Sequence, residues 1–149
     1  MNFRGKQAPQ EEVQSYESVA KYMAKNVISF SPDQPVHEAI DMMLEKRISG
    51  APVLNEKGDL IGMLSEKDCL KIIVERAYHN QPNQKNLVQD YMSVNVATVD
   101  IDKNVVEVAD MFLSTNFRRY PVVENGKLKG QVSRRDIMRA TRELKGTTW

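Results

Sequence analysis

Apolar residues recur along this chain with two alternating periods. Val36, Ala39, Ile40, Met43 and Leu44 stand at i, i+3, i+4, i+7 and i+8, the spacing of one helix face. Cys69, Leu70, Ile73, Val74 and Ala77 read as a second helical run after Ser65. Between them Gly50 breaks the helical pattern. Ala51-Pro52-Val53-Leu54 and Leu60-Ile61-Gly62-Met63-Leu64 then form short apolar strands joined by Asn55-Glu56-Lys57-Gly58, the chemistry of a hairpin turn. Upstream, Tyr16 to Lys25 brings Val19, Ala20 and Met23 to one side of a short helix. Val27 to Phe30 reads as a brief strand, and Ser31-Pro32-Asp33-Gln34-Pro35 as a turn and helix start. The predicted unit is helix, strand, helix, strand, strand, helix.

The same unit then begins again. Val19, Tyr22, Met23, Val27, Val36, Glu38, Met42, Leu44, Pro52 and Val53 return 69 positions later as Val88, Tyr91, Met92, Val96, Val105, Glu107, Met111, Leu113, Pro121 and Val122. One deletion in the hairpin turn lowers the shift to 68, and Gly58, Leu60, Gly62, Ser65 and Asp68 meet Gly126, Leu128, Gly130, Ser133 and Asp136. Two copies are too few for a solenoid, so the expected arrangement is a pseudo-twofold pair. The expected boundaries are a loose tail over residues 1–15, a first repeat over 16–81, a linker over 82–86, a second repeat over 87–145 and a tail over 146–149. Met42 and Met111 fall off the main stripe, which implies either a wider core or a contact with another chain.

Composition narrows the class. With 41% hydrophobic and 28% charged residues among 149, the chain can build a core, and disorder is excluded. Apolar runs such as Ile72-Ile73-Val74 are too short to cross a bilayer, and residues 1–10 hold no signal-peptide core, so a cytoplasmic location without membrane is expected. The single cysteine, Cys69, reads as a buried thiol. His37 and His79 are isolated, so no metal site is expected, and no nucleophile with its base is present, so no catalytic residue is expected.

The charge is uneven. From Phe117 onward nine Lys or Arg face three Asp or Glu, a net +6, against −5 before it. The overall pI of about 7.8 and the lack of a basic run argue for a local anion site rather than a nucleic-acid footprint. The excess surrounds Ser133-Arg134-Arg135-Asp136, which echoes Ser65-Glu66-Lys67-Asp68. Each is a strand ending at Ser and turning into a helix, where free N–H groups and the macrodipole favour an anion. The same Ser-x-x-Asp spacing is also a capping box. Arg134 and Arg135 oppose the macrodipole unless an anion lies near, and Arg118 and Arg119 precede the neighbouring strand.

Tyr-Met before the first strand, the Ser-Pro-Asp turn of the first copy, Pro-Val on the second strand and Gly-x-x-Ser-x-x-Asp entering the last helix together resemble a tandem CBS (cystathionine-β-synthase-type) pair of the bacterial stand-alone kind, from about Val19 to Ala140. The resemblance implies an α/β fold of two β-α-β-β-α repeats packed through small sheets, with adenosine-containing ligands in the clefts between them. It implies that Asp68 and Asp136 hold ribose, that Ser65 and Ser133 reach phosphate or ribose, and that Ser29 and Thr98 line the clefts. It also implies that Ile48, Gly50, Ala51 and Pro52, and Phe117 to Pro121 (Arg118, Arg119, Tyr120), hold adenine. Gln131 departs from the family's apolar preference at its position. The expected function is a regulatory module without catalysis or obligatory cofactor, binding AMP, ADP or ATP, or else S-adenosylmethionine. Expected partners are a second copy and an unidentified regulated protein. A structural module whose Ser-x-x-Asp segments serve only as caps is the alternative.

Overall fold

Each apolar run becomes an element whose ends are set by local chemistry. The computed structural model describes residues 16–79 and 86–144; the tail over 1–15, most of the linker and the tail over 146–149 lie outside the described residues. The first half contains α1 (Val36–Lys46), β1 (Gly50–Leu54), β2 (Leu60–Ser65) and α2 (Glu66–His79). The second contains α3 (Val88–Tyr91), β3 (Val99–Asp100), α4 (Val105–Leu113), β4 (Arg119–Glu124), β5 (Lys127–Ser133) and α5 (Arg134–Met138). Short 3-10 helices at Val19–Lys21 and Arg139–Glu143 flank this series. Helix α1 stops where Arg47 turns left-handed at φ 56°. Helix α4 starts on a reciprocal Asn104–Glu107 box. The first hairpin closes because the Asn55 side-chain oxygen accepts from the Lys57 and Asp59 N–H groups at 2.9 Å, while Gly58 takes φ 85°.

Strands β1 and β2 pair antiparallel, as do β4 and β5, and β3 joins β4 in parallel. The predicted strand at Val27 to Phe30 contracts to one parallel bridge between Phe30 and Val53. The chain turns at once there, since the Ser31 N–H goes to the Gln34 side chain and the Gln34 N–H to the Ser31 carbonyl. In the second half the ladder runs on, with the Ile101 N–H reaching Val123.

The halves exchange their entry segments. Val19 donates to the Lys103 carbonyl and Val105 to that of Glu17, both at 2.9 Å; Val88 and Val36 make the same exchange with Gln34 and Asn86. Val19 and Tyr22 therefore complete a core with Val99, Val105, Val108, Phe112, Tyr120 and Val122, all of the second half. Val88 and Tyr91 complete the other with Phe30, Val36, Ala39, Val53 and Leu64. Each buried side chain of this kind contributes about 1.5–3 kcal/mol, which fixes the halves to one another. The same exchange continues beside the sheets. Ser93 pairs with Met63 in both directions at 2.8 and 2.9 Å, and Ala24 pairs with Gln131 at the same distances. At the hairpin tips Asp59 meets Lys127 at 3.0 Å.

Three predicted faces are corrected. Leu44 and Leu113, placed on the inner stripes, are 73% and 86% exposed. They sit in the last turns, where each helix has passed the sheet. Met42 and Met111 instead pack partly buried against the two cores, so the wider-core reading holds. On α2 the buried positions are Asp68 and Ile72, whereas Leu70, Ile73 and Val74 face solvent. The cause lies at the helix start, where the Asp68 carboxylate folds back onto Ser65 and turns that side inward. Cys69 is consequently half-buried rather than buried. Burial first, and then the Asp68 and Glu66 carboxylates, push its thiol pKa up.

Candidate functional site

Both Ser-x-x-Asp segments are reciprocal capping boxes. Ser133 Oγ accepts the Asp136 N–H at 3.1 Å, and Asp136 Oδ2 accepts the Ser133 N–H at 2.8 Å. Ser65 and Asp68 repeat both bonds at 3.1 and 2.9 Å. The box holds each carboxylate at the mouth of a strand-to-helix corner.

What surrounds the two carboxylates differs. Asp68 Oδ2 also accepts the Ser65 hydroxyl at 2.9 Å, while Oδ1 accepts the Ser93 hydroxyl at 3.3 Å and lies 3.6 Å from the Lys71 ammonium. A carboxylate has about four lone-pair sites, so protein donors face all those of Asp68. Asp136 Oδ1 accepts only Arg139 Nη1, at 2.8 Å, and one site on each of its oxygens stays open among the described residues. The Asp68 side chain is 9% exposed and that of Asp136 20%. Arg139 further donates to the Tyr22 carbonyl at 3.3 Å, tying this corner to the first half.

Four arginines converge on the second corner. Arg119 pairs with Ser133 across the β4–β5 ladder, and the Arg134 N–H reaches the Arg118 carbonyl at 3.1 Å. Arg134 Nε donates to the Phe117 carbonyl at 3.0 Å, which steers that guanidinium. Arg118, Arg119 and Arg135 are exposed and make no ion pair among the described residues. In the first half Gly50 takes the place of Arg119, opposite Ser65, and Glu66 and Lys67 the places of Arg134 and Arg135.

The other predicted positions divide. Phe117 is half-exposed beside the corner, and Ile48 is half-buried against the first core. Ala51, Pro52, Tyr120 and Pro121 turn inward. The Tyr120 hydroxyl hydrogen-bonds Thr115 Oγ1 at 2.7 Å and its ring lies 4.8 Å from Phe112, so its side chain belongs to the core and leaves only backbone edges for the cleft. Ser29 is exposed and Thr98 half-buried, and neither hydrogen-bonds to a Ser-x-x-Asp segment among the described residues. Sequence reasoning missed Ser93, Lys71, Arg139 and the Tyr22 carbonyl. The sequence signal for Ser93 is its mismatch with Ala24 at the equivalent repeat position.

The family profile for the CBS domain matches residues 19–75 and 88–143. The chain belongs to the CBS domain family. The CBS pair superposes on CBSX2 of Arabidopsis thaliana in complex with AMP with a TM-score of 0.74 and 28% identity, over 87% of this chain and 98% of that one. It also matches the CBS domain pair of protein MJ0100 in complex with 5′-methylthioadenosine and S-adenosyl-L-methionine, with a TM-score of 0.66 and 25% identity over 83% of this chain and 98% of that one. An uncharacterised protein of Methanocaldococcus jannaschii, MJ1225, is 29% identical over 133 residues. That match covers 89% of this chain and 44% of the relative's length. Among the described residues no His, Cys, Asp and Glu group could hold a metal ion, and no helix is long and apolar enough to cross a membrane.

Proposed function

We propose that this CBS pair is a regulatory module that binds an adenosine nucleotide at the Asp136 corner and signals its occupancy to a partner protein. The observation that carries the reading is the pair of open acceptor sites on Asp136, one on each oxygen, which suits the two vicinal hydroxyls of a ribose. Arg118, Arg119 and Arg135 supply uncommitted cations for phosphate at the same corner. The AMP bound by CBSX2 supports the ligand class. The methylthioadenosine and S-adenosylmethionine bound by MJ0100 support the adenosine moiety, while the arginines favour AMP, ADP or ATP over a sulfonium cation. Thermal-shift measurements against AMP, ADP, ATP and S-adenosylmethionine test it. A ligand at a hundred times its Kd stabilises by about 2.7 kcal/mol, and no shift with any of the four refutes the reading.

The capping boxes favour a second reading, a structural module without ligand, because both Ser-x-x-Asp segments are satisfied as caps. The same titration separates the two. We also infer a homodimer. Its motive is no longer Met42 and Met111 but the exposed Leu44, Leu70, Ile73 and Val74, matched on the second half by Val106, Leu113 and Met138. Sedimentation showing only monomer at micromolar concentration counts against it.

A further inference from the structure

The two clefts are built on the same backbone plan but are not equally open. Ser93 and Ala24 hold equivalent places, each pairing in both directions with the middle of the opposite half's last strand, at Met63 and Gln131. From that place the Ser93 hydroxyl reaches Asp68 Oδ1 at 3.3 Å, where Ala24 has no hydroxyl to offer Asp136. The Ser65 hydroxyl also turns onto its carboxylate at 2.9 Å. No such bond joins the Ser133 hydroxyl to Asp136 among the described residues.

We propose that Ser93 acts as a built-in substitute for a ligand hydroxyl, holding the Asp68 cleft shut to ribose so that the pair takes one nucleotide rather than two. The inference rests on the reading of Asp136 as the ribose acceptor and adds what sets the stoichiometry. A ribose hydroxyl entering at Asp68 has to displace the Ser93 donor from a carboxylate that is 6% exposed as a residue. It then gains nothing over the bond already present. At Asp136 the equivalent acceptor site is unfilled, and the incoming hydroxyl makes a new charge-assisted bond. Selectivity between the clefts thus resides in one oxygen atom on the entry segment of the opposite half.

A reciprocal exchange tests this, with AMP as the probe and calorimetry as the readout. Both sites are small, and both backbone pairings are kept on substitution, so the fold is not at risk. The expected result is one AMP per chain for the wild type, two for Ser93→Ala, and about tenfold weaker binding for Ala24→Ser, whose new hydroxyl caps Asp136. One AMP bound by Ser93→Ala with unchanged affinity overturns the inference while leaving the Asp136 reading intact. Two AMP bound by the wild type overturns it as well, and so does an Ala24→Ser variant that binds as the wild type does. No AMP bound by any of the three proteins overturns the inference together with the proposed function.

Discussion

Removing each carboxylate separates a buried cap from a binding group. Asp68→Ala deletes the acceptor of three donors, the Ser65 N–H, the Ser65 hydroxyl and the Ser93 hydroxyl, at a site 6% exposed. The lost cap is worth about 1 kcal/mol, and stranding buried donors adds about 1–3, so a loss near 3 kcal/mol is expected. Asp136→Ala deletes one cap bond and an ion pair whose Arg139 side chain is 46% exposed. Exposed pairs contribute about 0–1 kcal/mol, which leaves roughly 1 kcal/mol, mostly the cap. The assay is urea unfolding of both variants without ligand, followed by AMP titration. The Asp68 variant should be clearly the less stable, and the Asp136 variant should lose about ten- to hundredfold in affinity, corresponding to about 1.5–3 kcal/mol of hydrogen bonding to ribose. Equal apo stability of the two would refute the lone-pair inventory. Equal AMP binding by the wild type and Asp136→Ala would refute the ribose assignment and leave the capping box standing.

Val19→Ala should cost about 2 kcal/mol and release amide protection at Val122 and Val132 before Val53 and Leu64, because Val19 fills the second core. Hydrogen exchange reads the order. Cys69 should alkylate slowly with iodoacetamide at neutral pH relative to a free thiol, since burial and two carboxylates hold it protonated. Lys127, followed by Asn55, hydrogen-bonds Asp59 and holds its carboxyl below the usual range. A depressed folded pKa means the pair's contribution is full at neutral pH and is lost as pH falls below about 4, through the folded value. Lys127→Met should therefore flatten the acid limb of stability against pH without moving its alkaline limb.

The repeat was legible because its landmarks are residues with little freedom: the positive-φ Gly58 and Gly126, and the Ser-x-x-Asp boxes. Apolar periodicity also foretold the hairpins and α4. It could not foretell the exchange of entry segments. Val19 and Tyr22 are the same residue types as Val88 and Tyr91, so either pair satisfies either core and only the backbone bonds to Lys103 and Gln34 decide. The α2 face was misread because hydrophobicity was weighed without the box, which draws the charged Asp68 inward and leaves Ile73 65% exposed. Tyr120 was placed with the adenine segment by its neighbours. The pleat of β4 sends it inward while Arg119 points out.

The exchanged segments bear on how occupancy can be transmitted. A ligand shifts a conformational equilibrium only by binding two arrangements differently. At Asp136 the group that senses arrangement is Arg139, which bridges the carboxylate to the Tyr22 carbonyl across the two halves. Beside it, Lys21 joins Glu17 at 2.9 Å to Glu143 at 2.6 Å, an exposed ion-pair chain linking the first entry segment to the last 3-10 helix. Exposed pairs of this kind contribute about 0–1 kcal/mol each, whereas the Val19 and Val88 cores on either side resist displacement. A ribose that engages Asp136 and re-aims Arg139 therefore perturbs the weakest part of the seam, and the entry segment around Tyr22 is where a change can pass outward at small cost.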